Sequence, residues 1–520
     1  MEKEGKKRLR VVLVPWPFQG HITPMLQLGS ILHSNGFSIT VVHAQYNSPD
    51  PSSHPNFSFL PLPDTSTPIF LTGEIMASVV QLNANCKARF QECLAEAMRQ
   101  QGSDDGIACI IHDEMMYFSQ AAAKDLKLPS IVLRTASASH FLARTALIQL
   151  KTEGHIPFPE SMWQDPIPNF YPLRFKDLPL FGKSENYLPL VSNFFMNKIS
   201  SPIIYNTIDC LESLSLAKIQ QLCQVPIFPI GPMHRVASAS SSSVLEEDTS
   251  CLTWLDKQSC KSVIYVSLGS LSFMDIEELV EMAWGIANSQ QPFLWVIRPG
   301  SIRGAEWIEV LPEYFTKSIG EKGYIVKWVP QKKVLAHSAV GGFLSHCGWN
   351  STLESICEGI PMICRPCFGD QRVNARYVSH VWKVGLELEN EIERSEIARS
   401  VRRVMAEKEG EDMRERAKNL KENIELCIKE GGSSNNTLKR DGLTTKYRMS
   451  LWGYTGSMVC LFCHGHIETK EHLFFSCSFS RRIRRVILAD CGVVDPPVSW
   501  NDVVNWFKGG MNNKSLKSAL

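Results

Sequence analysis

Hydrophobic positions along this chain fall into short apolar runs that alternate with helical stripes. Arg10–Val14 (RVVLV) is the first run, too continuous for a strand with a wet face. The loop PWPFQG follows. Thr23 is placed to cap a helix with Pro24 in its first turn. Met25, Leu28, Ile31 and Leu32 form the apolar stripe, and Gly36 closes it. FSITVVHA then reads as a second buried strand, which completes a βαβ unit. Further along, IACIIH (107–112) predicts a strand, Met115–Lys127 a helix and SIVLR (130–134) a strand. SPIIYNTI (201–208) predicts another strand, with a helix near Glu212.

The alternation stops at VASASSSSVLEED (236–248), a Ser-rich stretch that cannot build a core and reads as a flexible linker. It restarts with KSVIYVSLGS, QPFLWVIRPG, GYIVKWVP, GGFLSH and PMICRP, each an apolar strand separated from the next by helical sequence. Two doubly wound α/β halves are the expectation. Ligands of such folds bind at the carboxyl ends of strands, often between domains. After Glu409 the chain is charged and helical as far as the GGSS at 431–434.

Composition changes this picture only at the end of the chain. The 520 residues carry a net charge of +1, which selects no partner. From Gly431 onward, however, 12 Lys and Arg stand against 6 Asp and Glu, so a separate basic module begins there. The N-terminus MEKEGKKRLR lacks a signal-peptide core, and no stretch is long and apolar enough to span a membrane. A cytoplasmic protein is expected, with its 16 cysteines mostly buried small hydrophobes. The Cys364-Arg-Pro-Cys367 pair is read as structural.

The chemistry concentrates in HCGWNSTLES (346–355). Ser351 and Glu354 fit a capping box that opens a helix. Leu353, Ile356 and Cys357 give that helix an apolar face, and Gly359 ends it. A helix N-terminus offers unpaired N–H groups and a partial positive charge, which suits a phosphate. His346 stands at the end of the preceding strand, and Gly348 lets backbone come close. The plainer alternative is that Ser351 and Glu354 only cap a helix.

In the first half, His21 lies beyond the first strand and Asp113 at the end of IACIIH. Both therefore belong to one rim of one predicted sheet. A carboxylate fixes the imidazole tautomer and leaves the other nitrogen as a general base.

The stretch Trp328–Gln371, from WVPQ through HCGWNS to the final Asp-Gln, resembles the signature box of plant family 1 glycosyltransferases without a gap. The likeness extends over roughly residues 8–435. PFQGHITPM resembles the catalytic-histidine loop of that family, and HDEMMYF its aspartate position. The resemblance implies an α/β GT-B fold, in which two doubly wound parallel-sheet (Rossmann-like) domains face each other across a cleft. It also implies a UDP-sugar donor, with glucose favoured by the terminal Gln. By the same resemblance Trp328 stacks on uracil, and the backbone of Val329 pairs with the base edge. Gln331 and Glu354 contact the ribose. His346, Asn350, Ser351 and Ser270 hold the pyrophosphate. Thr135, Trp349, Asp370 and Gln371 meet the sugar. His21 takes the proton of an acceptor hydroxyl and the anomeric configuration inverts. Nowhere do two aspartates stand two apart, so no D-x-D metal site is expected and catalysis is read as metal-independent. The acceptor pocket is expected to be lined by Phe18 and by helices near 72–90 and 137–150.

The tail holds Cys460, Cys463, His472 and Cys477 at a spacing suited to one tetrahedral zinc. From Asp441 it resembles the zinc-binding domain of plant retroelement reverse transcriptases, a small zinc-ribbon-like unit. Its four arginines, Arg481, Arg482, Arg484 and Arg485, are more simply a solvated basic helix than a nucleic-acid site. The divisions expected are 1–235 for the acceptor domain, 236–249 for the linker, 250–434 for the UDP-sugar domain and 435–520 for the tail. The partners expected are a small-molecule acceptor, no membrane and no second copy of the chain. Glycosyltransferases of this type end in a helix that crosses back to the first half; here that helix is expected to be missing or improvised from Asn435. The alternatives are a UDP-sugar-binding protein without activity and a nucleic-acid-associated protein acting through its tail.

Overall fold

The computed structural model describes residues 9–62, 75–100, 107–179, 201–237, 243, 245–389 and 392–438. The four tail residues suited to zinc lie outside them.

Two all-parallel sheets organise the described chain. The first has seven strands in the order β3-β2-β1-β4-β5-β6-β7. These are β1 (Arg10–Val14), β2 (Ser38–Ala44), β3 (Phe57–Leu62), β4 (Ile107–Asp113), β5 (Ser130–Arg134), β6 (Ile203–Tyr205) and β7 (Ile227–Pro229). The second has six in the order β10-β9-β8-β11-β12-β13. These are β8 (Val263–Ser267), β9 (Phe293–Val296), β10 (Gly323–Val326), β11 (Val340–Ser345), β12 (Met362–Cys364) and β13 (Gly385–Glu387). Every residue of β1, β8 and β11 is buried, because helices cover both faces.

The two sheets share one winding. In each, the chain builds outward from a central strand and then returns to that strand's other side. The reversal falls between β1 and β4 in the first sheet and between β8 and β11 in the second. Such switch points leave a crevice at the carboxyl ends of the strands.

Three strands absent from the sequence reading, β3, β7 and β13, are all sheet edges. Two of them contain proline, Pro61 and Pro229, which an edge tolerates because one side needs no ladder partner. Two elements are shorter than expected: the helix after β4 is Phe118–Asp125, and SPIIYNTI yields a strand of only 203–205.

Helix starts also differ. The first helix spans Gln19–Ser34, with Phe18 at its N-cap, so Thr23 lies inside it and does not cap it. Instead the Thr23 hydroxyl accepts from Gln19 Nε2 at 2.7 Å. The helix predicted from Ser351 starts two residues earlier, at Trp349, with Gly348 as N-cap and no side-chain cap. The capping box does not form. Its left-handed Gly359 terminus (φ 71°) matches expectation.

The halves are joined by an apolar seam of Ile208, Leu211, Trp349, Leu353, Ile356, Cys357 and Ile424. Each leucine or isoleucine of the seam, fully buried, contributes about 1.5–3 kcal/mol. Ile424 comes from the long helix Lys408–Ile428. Beyond it, Ser434 Oγ donates to Gly231 O at 2.8 Å and Leu438 packs against the core of the first sheet. Within the described residues, therefore, the chain does begin to cross back to the first half.

Candidate active site

A cavity of about 580 Å³ opens between the two sheets. Its walls come from residues just beyond β1, β4 and β5 on one side and beyond β8, β10, β11 and β12 on the other. His21, Thr135, Ser270, Trp328, Val329, Gln331, His346, Gly348, Trp349, Asn350, Ser351, Glu354, Asp370 and Gln371 all line it. Of the catalytic and UDP-sugar residues predicted, Asp113 does not. It is fully buried behind His21.

His21 sits on the first turn of the helix after β1, with its side chain 20% exposed. Asp113 Oδ2 accepts from its Nδ1 at 2.7 Å, and the Thr135 hydroxyl oxygen is 2.9 Å from the same nitrogen. Asp113 is held in turn by the Met115 backbone N–H, at 2.9 Å from Oδ1. With Nδ1 engaged as a donor, Nε2 is left as the basic nitrogen. Burial pulls the His21 pKa down, but the Asp113 charge, its hydrogen bond and the charges of Glu114 and Asp370 outweigh it. The net shift is upward.

His346 is the opposite case. Its ring lies between Gly269 and Gly348. A Cβ on either glycine would come within 2.5 Å of Nε2. Gly269 also needs its positive φ of 77° to turn the chain here. Burial pushes the His346 pKa down to about 4, so the ring is neutral at pH 7 and offers an N–H without a charge.

The helix that starts at Trp349 aims its first turn at the cavity. The N–H groups of Trp349, Asn350 and Ser351 have no acceptor inside the helix. Two of these side chains, however, hold the domains together. The Trp349 indole N–H donates to Asn206 O at 2.7 Å, and indole has no second polar group. Asn350 Nδ2 donates to Gly20 O at 2.8 Å. That carbonyl is free because Pro24, one turn later, has no N–H to give it. What Trp349 offers a ligand is therefore chiefly backbone, whereas the Asn350 amide keeps a second N–H, a division of labour that sequence could not reveal.

Ser351 and Glu354, no longer a cap, form a network. Gln331 Nε2 donates to Ser351 Oγ at 3.0 Å and to Glu354 Oε2 at 2.8 Å. Tyr265 O–H donates to Gln331 Oε1 at 3.0 Å. Burial raises the Glu354 pKa against the opposing Gln331 bond. Trp328 is half-buried, with its Nε1 donating to Ser243 Oγ of the Ser-rich stretch at 3.0 Å. Gln371 Oε1 ties down the backbone N–H groups of Cys367 (2.8 Å) and Phe368 (3.0 Å). Asp370 accepts from Asn374 Nδ2 at 2.9 Å, and burial raises its pKa.

Phe18 is displaced from its expected role. It is buried in the core beside Trp16, and Trp16 lines the cavity instead. The sequence reading also missed Tyr265, Glu114 and Arg144. The last two form a buried pair (2.9 Å) that lines the cavity near His21. Only tertiary proximity gives them meaning. Cys364 is buried in β12, as a structural residue would be.

A cleft between two such sheets, with a histidine–aspartate pair on one rim and a helix N-terminus on the other, defines a glycosyltransferase of the GT-B type. The family model "UDP-glucoronosyl and UDP-glucosyl transferase" matches residues 65–415, and the chain belongs to that family. UDP-glycosyltransferase 76E1 of Arabidopsis thaliana is 50% identical over 448 residues, 84% of this chain and 97% of the relative. Flavonol 3-O-glucosyltransferase UGT76E12 of the same plant is 49% identical over 447 residues, with 84% and 97% covered. Among solved structures, Phytolacca americana UGT2 complexed with UDP-2fluoro-glucose and pterostilbene has a TM-score of 0.71 at 27% identity. It covers 84% of this chain and 99% of its own. Os79 from O. sativa in complex with UDP has a TM-score of 0.70 at 25% identity, with 82% and 98% covered. A second model, "zinc-binding in reverse transcriptase", matches residues 437–483, which include Cys460, Cys463, His472 and Cys477. Among the described residues, no helix is long and apolar enough to cross a membrane.

Proposed function

We infer that the protein transfers glucose from UDP-glucose to a hydroxyl of a small lipophilic plant metabolite, with inversion at the anomeric carbon. The observation that carries this reading is the His21–Asp113 pair facing the same cavity as the helix N-terminus at Trp349. Asp113 holds Nδ1, and His21 Nε2 takes the acceptor proton. The acceptor oxygen bonds to C1 while the C1–O bond to the diphosphate breaks. The electron pair leaves on a phosphate oxygen, where the N–H groups of Trp349, Asn350 and Ser351 and neutral His346 receive it. Trp328 offers a face to uracil and the Gln331–Glu354 network acceptors to the ribose. In this reading Asp370 and Gln371, which line the cavity, meet the sugar hydroxyls. No metal enters this scheme.

Two relatives support the acceptor and donor classes: one is named for a flavonol and the other was solved with a fluorinated UDP-glucose. A cytoplasmic monomer is part of the same reading, and Thr135 acts through His21. The tail is assigned no role in transfer. Incubation with UDP-glucose and a panel of phenols and flavonols tests the proposal. A β-glucoside, identified by the proton coupling at C1, is expected from the α-linked donor. An α-linked product, or no transfer at all, overturns it.

A further inference from the structure

One buried polar group in the cavity takes no part in the scheme above. His140 is 3% exposed and lines the cavity. Neither of its ring nitrogens has a hydrogen-bond partner. Buried polar atoms without partners are rare, and two on one ring call for an explanation. Burial, reinforced by the charges of Arg144 and Arg134, drives its pKa well down, so the ring is neutral. A neutral imidazole offers one N–H donor and one lone pair.

The ring also stands on a rigid support. It belongs to the first turn of the helix Ala138–Thr152. The buried carboxylate of Glu212 accepts from the N–H groups of Ala138 (2.9 Å) and Ser139 (2.8 Å) at that helix start. Ser137 Oγ accepts from the His140 backbone N–H at 3.2 Å and donates to Asn374 Oδ1, across the cleft, at 2.8 Å. Asn374 in turn donates to Asp370. The helix start that carries His140 is thus fixed against the donor half. Preorganised polar groups of this kind select ligands, because a partner that cannot bond them leaves them stranded.

We propose that His140 is a specificity-determining residue that hydrogen-bonds a second, uncharged oxygen of the acceptor, a hydroxyl or carbonyl distinct from the one being glycosylated. The inference rests on the transferase reading and narrows its substrate class to acceptors with two oxygen functions. An uncharged oxygen is favoured over a carboxylate because the neighbouring Arg144 already faces Glu114 through two contacts, at 2.9 and 3.1 Å.

Three matched probes test it: 2-naphthol, a dihydroxynaphthalene and a hydroxynaphthoic acid. Each is titrated by tryptophan quenching and assayed for UDP release with wild type, H140F and H140Q. In H140F the dihydroxynaphthalene is expected to lose at least tenfold in affinity and in kcat/KM, while 2-naphthol changes less than twofold. H140Q, which keeps a donor and an acceptor, restores most of the difference. Equal losses for both probes, or none, overturn the proposal, as does a preference for the hydroxynaphthoic acid that vanishes in H140F. If wild type binds the probes but releases no UDP, the transferase reading fails while the quenching comparison still decides the role of His140.

Discussion

His21 and His346 occupy comparable places in the two halves, yet physics treats them oppositely. Each lies beyond the carboxyl end of a strand at a switch point, His21 on the first turn of the helix after β1 and His346 directly after β11. Both are largely enclosed, and desolvation pulls both pKa values down. His21 faces the carboxylate of Asp113, which reverses the effect; His346 faces two glycines, which cannot. One imidazole therefore binds a proton more readily than an ordinary histidine, and the other stays neutral. What a histidine does at a strand end is set by the group across from it, more than by its position in the fold.

The sharpest break in this comparison is removal of the proposed base. His21→Ala is expected to lower kcat by about 10²–10⁴-fold. UDP affinity, measured by calorimetry, should stay within about twofold, because His21 lies on the opposite rim from the helix at Trp349. A parallel fall in both would merge the two roles that the comparison separates.

A smaller effect is expected on the other side. In Gly348→Ala a Cβ arrives 2.5 Å from His346 Nε2, and in Gly269→Ala the same clash adds to a φ of 77°. Overpacking of this kind costs about 1–3 kcal/mol. UDP binding should weaken by about tenfold, more for Gly269→Ala, while the pH dependence conferred by His21 is unchanged.

The smallest effect lies at the joint between the halves. Asn350→Ala leaves the Gly20 carbonyl without its donor and should cost about 1 kcal/mol of stability in a ligand-free thermal melt. Adding Pro24→Ala supplies a backbone N–H one turn later. It should recover part of that loss, an outcome that a simple loss of packing at Asn350 would not produce.

Much of this was legible in the sequence. Central strands announce themselves because burial on both faces demands continuous apolar runs, and β1, β4, β5, β8 and β11 all have them. Edge strands β3, β7 and β13 need no such run and went unseen. The site residues were legible as a set because the box from Trp328 to Gln371 is continuous in sequence and folds around one crevice. Local geometry was less so. Ser351 and Glu354 have the letters of a capping box, but Cys347, at a φ of 63°, and extended Gly348 start the helix two residues sooner. The Asn350–Gly20 bond spans 330 residues, and the Glu114–Arg144 pair and His140 acquire meaning only when the helices close on one another. No periodicity encodes such contacts.

The central proposal is that His21 is the base that starts the reaction and that Asp113 raises its pKa, and the pH profile of kcat/KM tests it most directly. In wild type the base must be deprotonated, so activity should fall as pH drops through a value above the ordinary histidine pKa of 6.5. In Asp113→Asn the charge is gone and burial dominates, so the acid limb should move below that of wild type while the plateau falls. An acid limb that stays in place, or moves upward, would contradict the account.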